Sequence, residues 1–204
     1  MRRESSTVVA LVGHVPATMR ATLAQSPNVA LVPGRASVSG PAGWEIGAEV
    51  MQEAARRRAT YVVVPADPLA GVAAAWRAMW EVAAGPDAAA EFEKSAADAL
   101  IAWRAKRFEL PDYYLVIGPA GDAATGPDLY LGPVRAVRPH RVALAAVAGP
   151  DDAATSGALT STISLLDTLR SLPHGPWWPP LDELLDSARH FYAGGLAETQ
   201  HAPV

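Results

Sequence analysis

Four short runs of apolar, largely β-branched residues constrain the fold of this chain more than any other feature of its sequence. None of them alternates between apolar and polar positions, so each is expected to be covered on both faces, as in the interior of a parallel sheet. Between the runs, apolar residues recur at the spacing of an amphipathic helix. Strands alternating with helices predict right-handed βαβ crossovers and a parallel sheet. The predicted strands are residues 7–12, 29–32, 61–64 and 113–117.

The clearest change from strand to helix lies within residues 60–81. After the apolar run, Trp76 and Trp80 belong to one helical stripe that should press on the sheet. Asp67 and Pro68 stand where the helix is expected to begin. A carboxylate there can accept hydrogen bonds from the free amides of the first turn, and proline at the first helical position loses none. The sequence therefore gives Asp67 a structural explanation as a helix cap.

The other helical patterns have similar start and stop signals. Gly85 and Pro86 separate the helix that follows Asp67 from the next one, and the last helix is expected to end at Gly194 and Gly195. The remaining helices are predicted to start near Pro16, just before Trp44, at Asp87, at Asp151 or Asp152, and at Leu181.

Two further apolar runs, residues 129–134 and 141–147, are separated by only six residues, RAVRPH. So short a connection favours antiparallel pairing, as an edge hairpin on an otherwise parallel sheet. The predicted fold is thus a three-layer α/β domain with a mostly parallel sheet of about four strands, this antiparallel edge hairpin, and helices on both faces. We expect one domain over residues 1–195, in which residues 173–195 form an annex, and a flexible tail over residues 196–204.

Composition narrows the classes of partner. The formal net charge is −4, which argues against nucleic acid or an anionic membrane as the main partner. The chain has no cysteine, so thiolate metal sites and a cysteine nucleophile are excluded. The apolar run after Arg2 and Arg3 is too short for a signal peptide, and no stretch reaches the length of a membrane span. These features, with the many Ala, Arg, Gly and Pro residues, predict a cytoplasmic bacterial protein.

Ligands in open α/β sheets bind at the carboxyl ends of the parallel strands, so the loops after the strands supply the candidate site residues. His14 and Asp67 are the candidates for general acid or base. Arg35 lies in a loop rich in glycine and serine that resembles a phosphate cradle in composition but matches no phosphate-binding motif. Each also has an ordinary explanation: a loop histidine, a helix cap and a surface loop.

The densest cationic group surrounds the predicted hairpin and comprises Arg135, Arg138 and Arg141. Guanidinium groups suit phosphate or carboxylate, so these arginines, together with Arg35, are candidate anion-binding residues. The competing interpretation is a solvated hairpin tip, whose charges protect an exposed sheet edge.

The least ordinary stretch is residues 172–181, LPHGPWWPPL, which we call the Trp/Pro segment. Its prolines stiffen the chain, and two adjacent tryptophans cannot both point into one core from a regular element. Trp177, Trp178 and His174 are therefore candidate partner-binding residues. The competing interpretation is a lid that packs both rings onto the domain.

Two functional hypotheses follow. The first is a non-catalytic binding or accessory protein that uses the Trp/Pro segment, with a homo-oligomer or another protein as partner. The alternative is an enzyme acting on a small anionic or phosphorylated substrate at the carboxyl ends of the strands. The residues identify no cofactor, and no metal site is expected because no pair of histidines has ligand spacing.

Overall fold

The computed structural model describes residues 6–13, 15, 17–33, 43–80, 87–119, 128–147 and 178–200. Five strands form one sheet in the order β2-β3-β1-β4-β5, and every neighbouring pair is parallel. The strands are β1 (Thr7–Gly13), β2 (Val29–Leu31), β3 (Tyr61–Val64), β4 (Tyr113–Pro119) and β5 (Val142–Val147).

Six α-helical segments accompany the sheet in the described part of the chain. The stretch before β5 is irregular, with a π-helical turn (Tyr130–Val134) ahead of the fifth helix and a 3-10 turn (Pro139–Arg141) after it. The helices are α1 (Ala17–Gln25), α2 (Gly43–Arg56), α3 (Ala70–Met79), α4 (Asp87–Arg104), α5 (Arg135–Val137) and α6 (Leu181–Gln200).

The sheet buries apolar side chains on both faces because successive residues of a strand point in opposite directions. On the first face, alternate strand residues such as Ala10 and Tyr114 share a core with α2, α3, α4 and α6. On the second face, their neighbours Leu11 and Leu115 pack with Met19 of α1. Helices therefore cover both faces, as the continuous apolar runs predict.

The connections follow one rule of handedness. From β1 to β2 the chain passes over β3 through α1, which lies on the second face. The next two connections run in the opposite direction across the sheet and lie on the first face: α2 joins β2 to β3, and α3 and α4 join β3 to β4. Crossovers that run in opposite directions on opposite faces have the same hand, as the strong preference for right-handed βαβ units requires. The prediction of a parallel α/β sheet is confirmed.

The predicted antiparallel edge hairpin is wrong. Its first arm is helical over Tyr130–Val134, and its second arm is β5, which pairs parallel to β4 with Tyr114 opposite Val142. Pro133 cannot donate to a strand ladder. The Asp128 carboxylate instead accepts hydrogen bonds from the amides of Tyr130 and Leu131, at 2.8 and 3.0 Å, and starts a helical turn. Residues 128–141 thus belong to the crossover between two parallel strands.

Two helix boundaries also differ from the sequence predictions. The helix after Asp67 begins at Ala70 rather than at Pro68. The last helix continues through Gly194 and Gly195 to Gln200, because glycine costs a helix only about 1 kcal/mol and does not by itself end it. The helix predicted from Asp151 or Asp152 lies outside the described residues. Within the described ranges, no helix has the length and apolar character needed to cross a membrane.

Candidate functional site

The chain leaves β3 through a tight turn that buries Asp67. Only 3% of this residue is exposed, which is unusual for an aspartate. Helix α2 packs directly on the turn, because a Cβ atom at Gly47 would collide with the peptide between Asp67 and Pro68. This close contact fixes the position of the Asp67 backbone relative to α2.

Three donors surround the Asp67 carboxylate. Oδ1 accepts hydrogen bonds from the Leu69 amide at 2.7 Å and from the Tyr114 hydroxyl at 3.2 Å. Oδ2 accepts a hydrogen bond from the Tyr130 hydroxyl at 2.6 Å. The bond to Leu69 lies in the turn before α3, but the N-cap residue of α3 is Leu69 and no side chain caps it, so Asp67 is not the helix cap that the sequence predicts. The two tyrosines join Asp67 to β4 and to the turn before β5.

Burial raises the pKa of the Asp67 carboxyl group from 3.8 to about 6. The hydrogen bonds from Tyr130, Leu69 and Tyr114 act in the opposite direction, because they stabilise the charged form, but they do not offset the loss of water. Burial, followed by the charge of Asp67, raises the pKa of both tyrosine hydroxyls well above the usual value, so both remain donors. The site can therefore take up and release a proton at Asp67 not far from neutral pH.

Aromatic packing extends the site towards the Trp/Pro segment. The Tyr114 ring lies 4.9 Å from the Tyr130 ring and 5.5 Å from the Trp178 ring, measured between centroids. Trp178 Nε1 donates a hydrogen bond to the carbonyl oxygen of Pro111 at 2.7 Å. The indole of Trp178, which is half-buried, thus fixes the chain just before α6 onto the start of β4.

The other two predicted partner-binding residues, His174 and Trp177, lie outside the described part of the chain. The same is true of the candidate acid or base His14 and of the candidate anion-binding residue Arg35. Arg135 is exposed on α5. Arg138 is half-buried and donates a hydrogen bond to the carbonyl oxygen of Val137 at 2.9 Å.

Arg141 is buried, but it does not meet Asp67. Its guanidinium group lies 4.8 Å from the centroid of the Tyr113 ring and donates to the carbonyl oxygen of Asp112 at 3.2 Å. Tyr113 belongs to the core of the second face and Tyr114 to that of the first. Arg141 and Asp67 are therefore on opposite faces of β4, and the structure does not assemble them into one site.

Sequence reasoning missed Tyr114 and Tyr130 as partners of Asp67. Tyr114 stands in a predicted buried strand and Tyr130 in an arm of the predicted edge hairpin, and a buried hydroxyl needs a hydrogen-bond partner. That requirement was the available signal. It does not identify the partner, because 47 residues separate Asp67 from Tyr114 and 63 separate it from Tyr130.

A second aromatic group surrounds Trp76 of α3. This ring is fully buried, and the rings of Phe92, Phe191 and Tyr192 lie 5.7 to 6.2 Å away from it. Tyr192 also contacts Trp80 edge to face at 5.1 Å. Phe191 is 44% exposed although the buried ring of Trp76 lies against it.

Within the described ranges, no group of three histidine, aspartate or glutamate side chains could hold a metal ion. Comparisons with protein-family models, with curated proteins and with solved structures find no match to this chain.

Proposed function

We propose that this protein is a non-catalytic binding protein that holds a protein partner at an aromatic surface around its C-terminal helix. The main support for this proposal is the side chain of Phe191, a large exposed ring that its neighbours hold in a fixed position. Trp76 lies 6.2 Å behind it, and a Cβ atom at Gly132 would come within 3.3 Å of its Cζ atom. An aromatic side chain that is already ordered loses little entropy when a partner covers it.

Charged groups stand beside this ring, as expected for the rim of an interface. Arg189, two residues before Phe191, pairs with Glu93 of α4 at 2.7 Å. Both side chains are partly exposed, so the pair adds little stability and is available to a partner. We call Phe191, Tyr192 and Trp80 the Phe191 surface.

The Trp/Pro segment leads into the same helix and is the second part of the proposed interface. The bond from Trp178 to Pro111 tethers the end of this segment to the domain. Trp177 and His174 remain the predicted contact residues there. The partner proposed first is a second copy of this chain, since symmetric dimers are the commonest use of such a surface. The bacterial cytoplasmic setting expected from composition is part of the same proposal.

Light scattering of variants tests the proposal. The wild-type protein should be a dimer, and Phe191→Ser should shift it towards monomer because the central ring of the interface is lost. Trp177→Ser should act in the same direction, with Trp178 retained because its indole anchors the segment.

Ile101→Ser is the matched control for Phe191→Ser. Ile101 lies on α4 and is 66% exposed, so this variant also removes an exposed apolar side chain, but it should leave the dimer intact. Equal monomer masses for the wild-type protein and all three variants would contradict self-association through this surface.

The alternative is an enzyme acting on a small anionic or phosphorylated substrate, with Asp67 as acid or base. The raised pKa of Asp67 favours it, because perturbed carboxyl groups are common in active sites. Against it, Asp67 is 3% exposed and Arg141 lies on the other face of β4. A rise in Tm with phosphate at constant ionic strength, lost in Arg138→Ala, would favour this alternative.

A further inference from the structure

We propose that two copies of this chain pair through α6 in antiparallel orientation, so that Pro180 of each copy meets Phe191 of the other. This pairing rests on the proposed function and specifies how the Phe191 surface is used in self-association. The group that covers Phe191 is then the start of α6 in the second copy.

One side of α6 is left open for such a contact. Four residues of the helix are fully buried against the domain: Leu181, Leu184, Leu185 and Ala188. On another side, residues recur at the three- and four-residue spacing of a single helix face. This α6 stripe comprises Pro180, Glu183, Ser187, His190 and Phe191. Ser187 is half-buried and the other members of the stripe are exposed.

Both apolar ends of the α6 stripe are ordered within one chain. The carbonyl oxygen of Pro180 accepts a hydrogen bond from the Leu184 amide at 3.3 Å, so Pro180 continues the helical geometry. The bond from Trp178 to Pro111 tethers the chain just before it. Phe191 lies about three turns later, where its neighbours hold the ring in place. Ordered contact residues lose little entropy on association.

Twofold symmetry brings the same surface of each copy together, so the α6 stripe must fit itself. With the two helices antiparallel, the start of one stripe lies against the later part of the other. Pro180 then contacts Phe191 twice, once on each side of the symmetry axis. Ser187 falls near the axis, where a small side chain allows two helices to approach closely.

The charges in the α6 stripe favour the antiparallel orientation over the parallel one. Glu183 and His190 are about two turns apart. In the antiparallel pair, Glu183 of each copy lies opposite His190 of the other, which gives two pairs of opposite charge when the imidazole is protonated. A parallel pair would place Glu183 against Glu183. Opposite charges across a helix pair set its orientation in this way.

The contacts of these residues within one chain leave both free to pair across the axis. Nδ1 of His190 lies 2.7 Å from a carbonyl oxygen, which can only accept, so Nδ1 donates and Nε2 can face the second copy. Among the side chains that the structure describes on α6, Asp182 pairs with Arg104, and Asp186 with Arg189. Glu183 takes part in none of the ion pairs between described residues, so its carboxylate is open to the second copy.

Charge reversal tests the orientation, with the dimer Kd measured by sedimentation equilibrium at low ionic strength. Glu183→Lys should raise the Kd by about three- to tenfold, because lysine would face His190 in both pairs. His190→Glu should raise it similarly, because it would face Glu183. The two substitutions combined in one chain restore opposite charges, so the Kd should return close to the wild-type value. His190→Lys, which makes the positive charge permanent, should lower the Kd.

Glu45→Lys is the matched control, because it makes the same charge change at an exposed residue of α2 and should leave the Kd unchanged. A combined variant that associates no more tightly than the single variants would overturn the antiparallel pairing, even where Phe191→Ser gives a monomer and so supports the proposed function. If Glu183→Lys does not fold, a His190→Lys variant whose Kd does not fall also overturns the pairing. A wild-type protein that is monomeric at every concentration contradicts self-association itself.

Discussion

A carboxylate inside an apolar core must be hydrogen-bonded or protonated, because an unpaired buried charge costs several kcal/mol. Both conditions apply to Asp67: three donors form hydrogen bonds with its oxygens, and burial raises its pKa to about 6, which favours the protonated form. In the sequence this residue has the form of a helix cap, but in the fold the N-cap residue of α3 is Leu69, and Asp67 bonds the Leu69 amide rather than an amide of the helix. Its two tyrosine partners make it the polar centre of the first face of the sheet.

Trp76 is a large side chain in the core on the first face of the sheet. The residue is fully buried and contacts four other aromatic rings. Trp76→Ala should lower the free energy of unfolding by about 3 to 5 kcal/mol, because the surrounding helices cannot fill the cavity.

Urea denaturation measures this cost, and Trp80→Ala is the matched comparison. Trp80 lies one helical turn away and is only half-buried, so its truncation should cost less. Equal losses for the two variants would mean that Trp76 does not occupy the centre of the core.

At the scale of elements, residues 129–134 illustrate how an apolar run can fit either a strand or a helix. The run is long enough for a strand, but Pro133 lacks the amide that a ladder needs, and the Asp128 carboxylate offers its bonds to the amides that follow it. Burial of the Tyr130 ring against Tyr114 then favours the helical turn. Tertiary packing therefore decided the conformation of this element.

Helix α2 packs so closely on the turn after β3 that there is no room for a side chain at Gly47. In an open helix, Gly47→Ala would stabilise the fold by about 1 kcal/mol. Here the added Cβ atom would collide with the rigid peptide between Asp67 and Pro68. We expect net destabilisation of about 1 to 3 kcal/mol, measured by thermal or urea unfolding.

Ala55→Gly on the exposed side of the same helix is the control for the intrinsic propensity. It should cost about 1 kcal/mol without any collision. A Gly47→Ala variant more stable than the wild-type protein would show that α2 does not approach the turn this closely.

At the scale of the whole molecule, the fold joins distant parts of the chain through the sheet and through the pair of helices α4 and α6. Glu93 and Arg189 connect these helices near one end, and Arg104 and Asp182 connect them near the other. The hydrogen bond from Arg189 lowers the pKa of Glu93. This carboxylate therefore contributes stability above its usual pKa that is lost in acid, opposite in sign to the contribution of Asp67.

The pH dependence of global stability should reveal Asp67 once these other groups are subtracted. Its folded-state pKa of about 6 lies above the usual 3.8, so its contribution is present below about pH 4 and is lost as the pH rises through about 6. Two pH units correspond to about 3 kcal/mol.

The measured quantity is the difference in free energy of unfolding between the wild-type protein and Asp67→Asn, from urea melts at several pH values. The wild-type protein should lose stability relative to the variant between pH 4 and pH 7. A difference that stays constant or grows in favour of the wild-type protein would refute the raised pKa.

The sequence by itself determined the parallel α/β sheet, because continuous apolar runs and helical stripes are local patterns that report burial on one or two faces. The strand at Tyr61–Val64 and the helix starting at Asp87 lie where those patterns predict them. Asp67 was also identified as a polar residue at the end of a strand, since the Asp-Pro pair is a local signal.

Only the tertiary structure decided the direction of β5, the helical form of Tyr130–Val134 and the partners of Asp67. Each depends on residues far apart in sequence, such as Tyr130 meeting Asp67 and Tyr114 standing opposite Val142. Local patterns specify how much of an element is buried, but not which buried hydroxyl meets which buried carboxyl. That pairing is fixed by the order of the strands and by the helices that bring the two groups together.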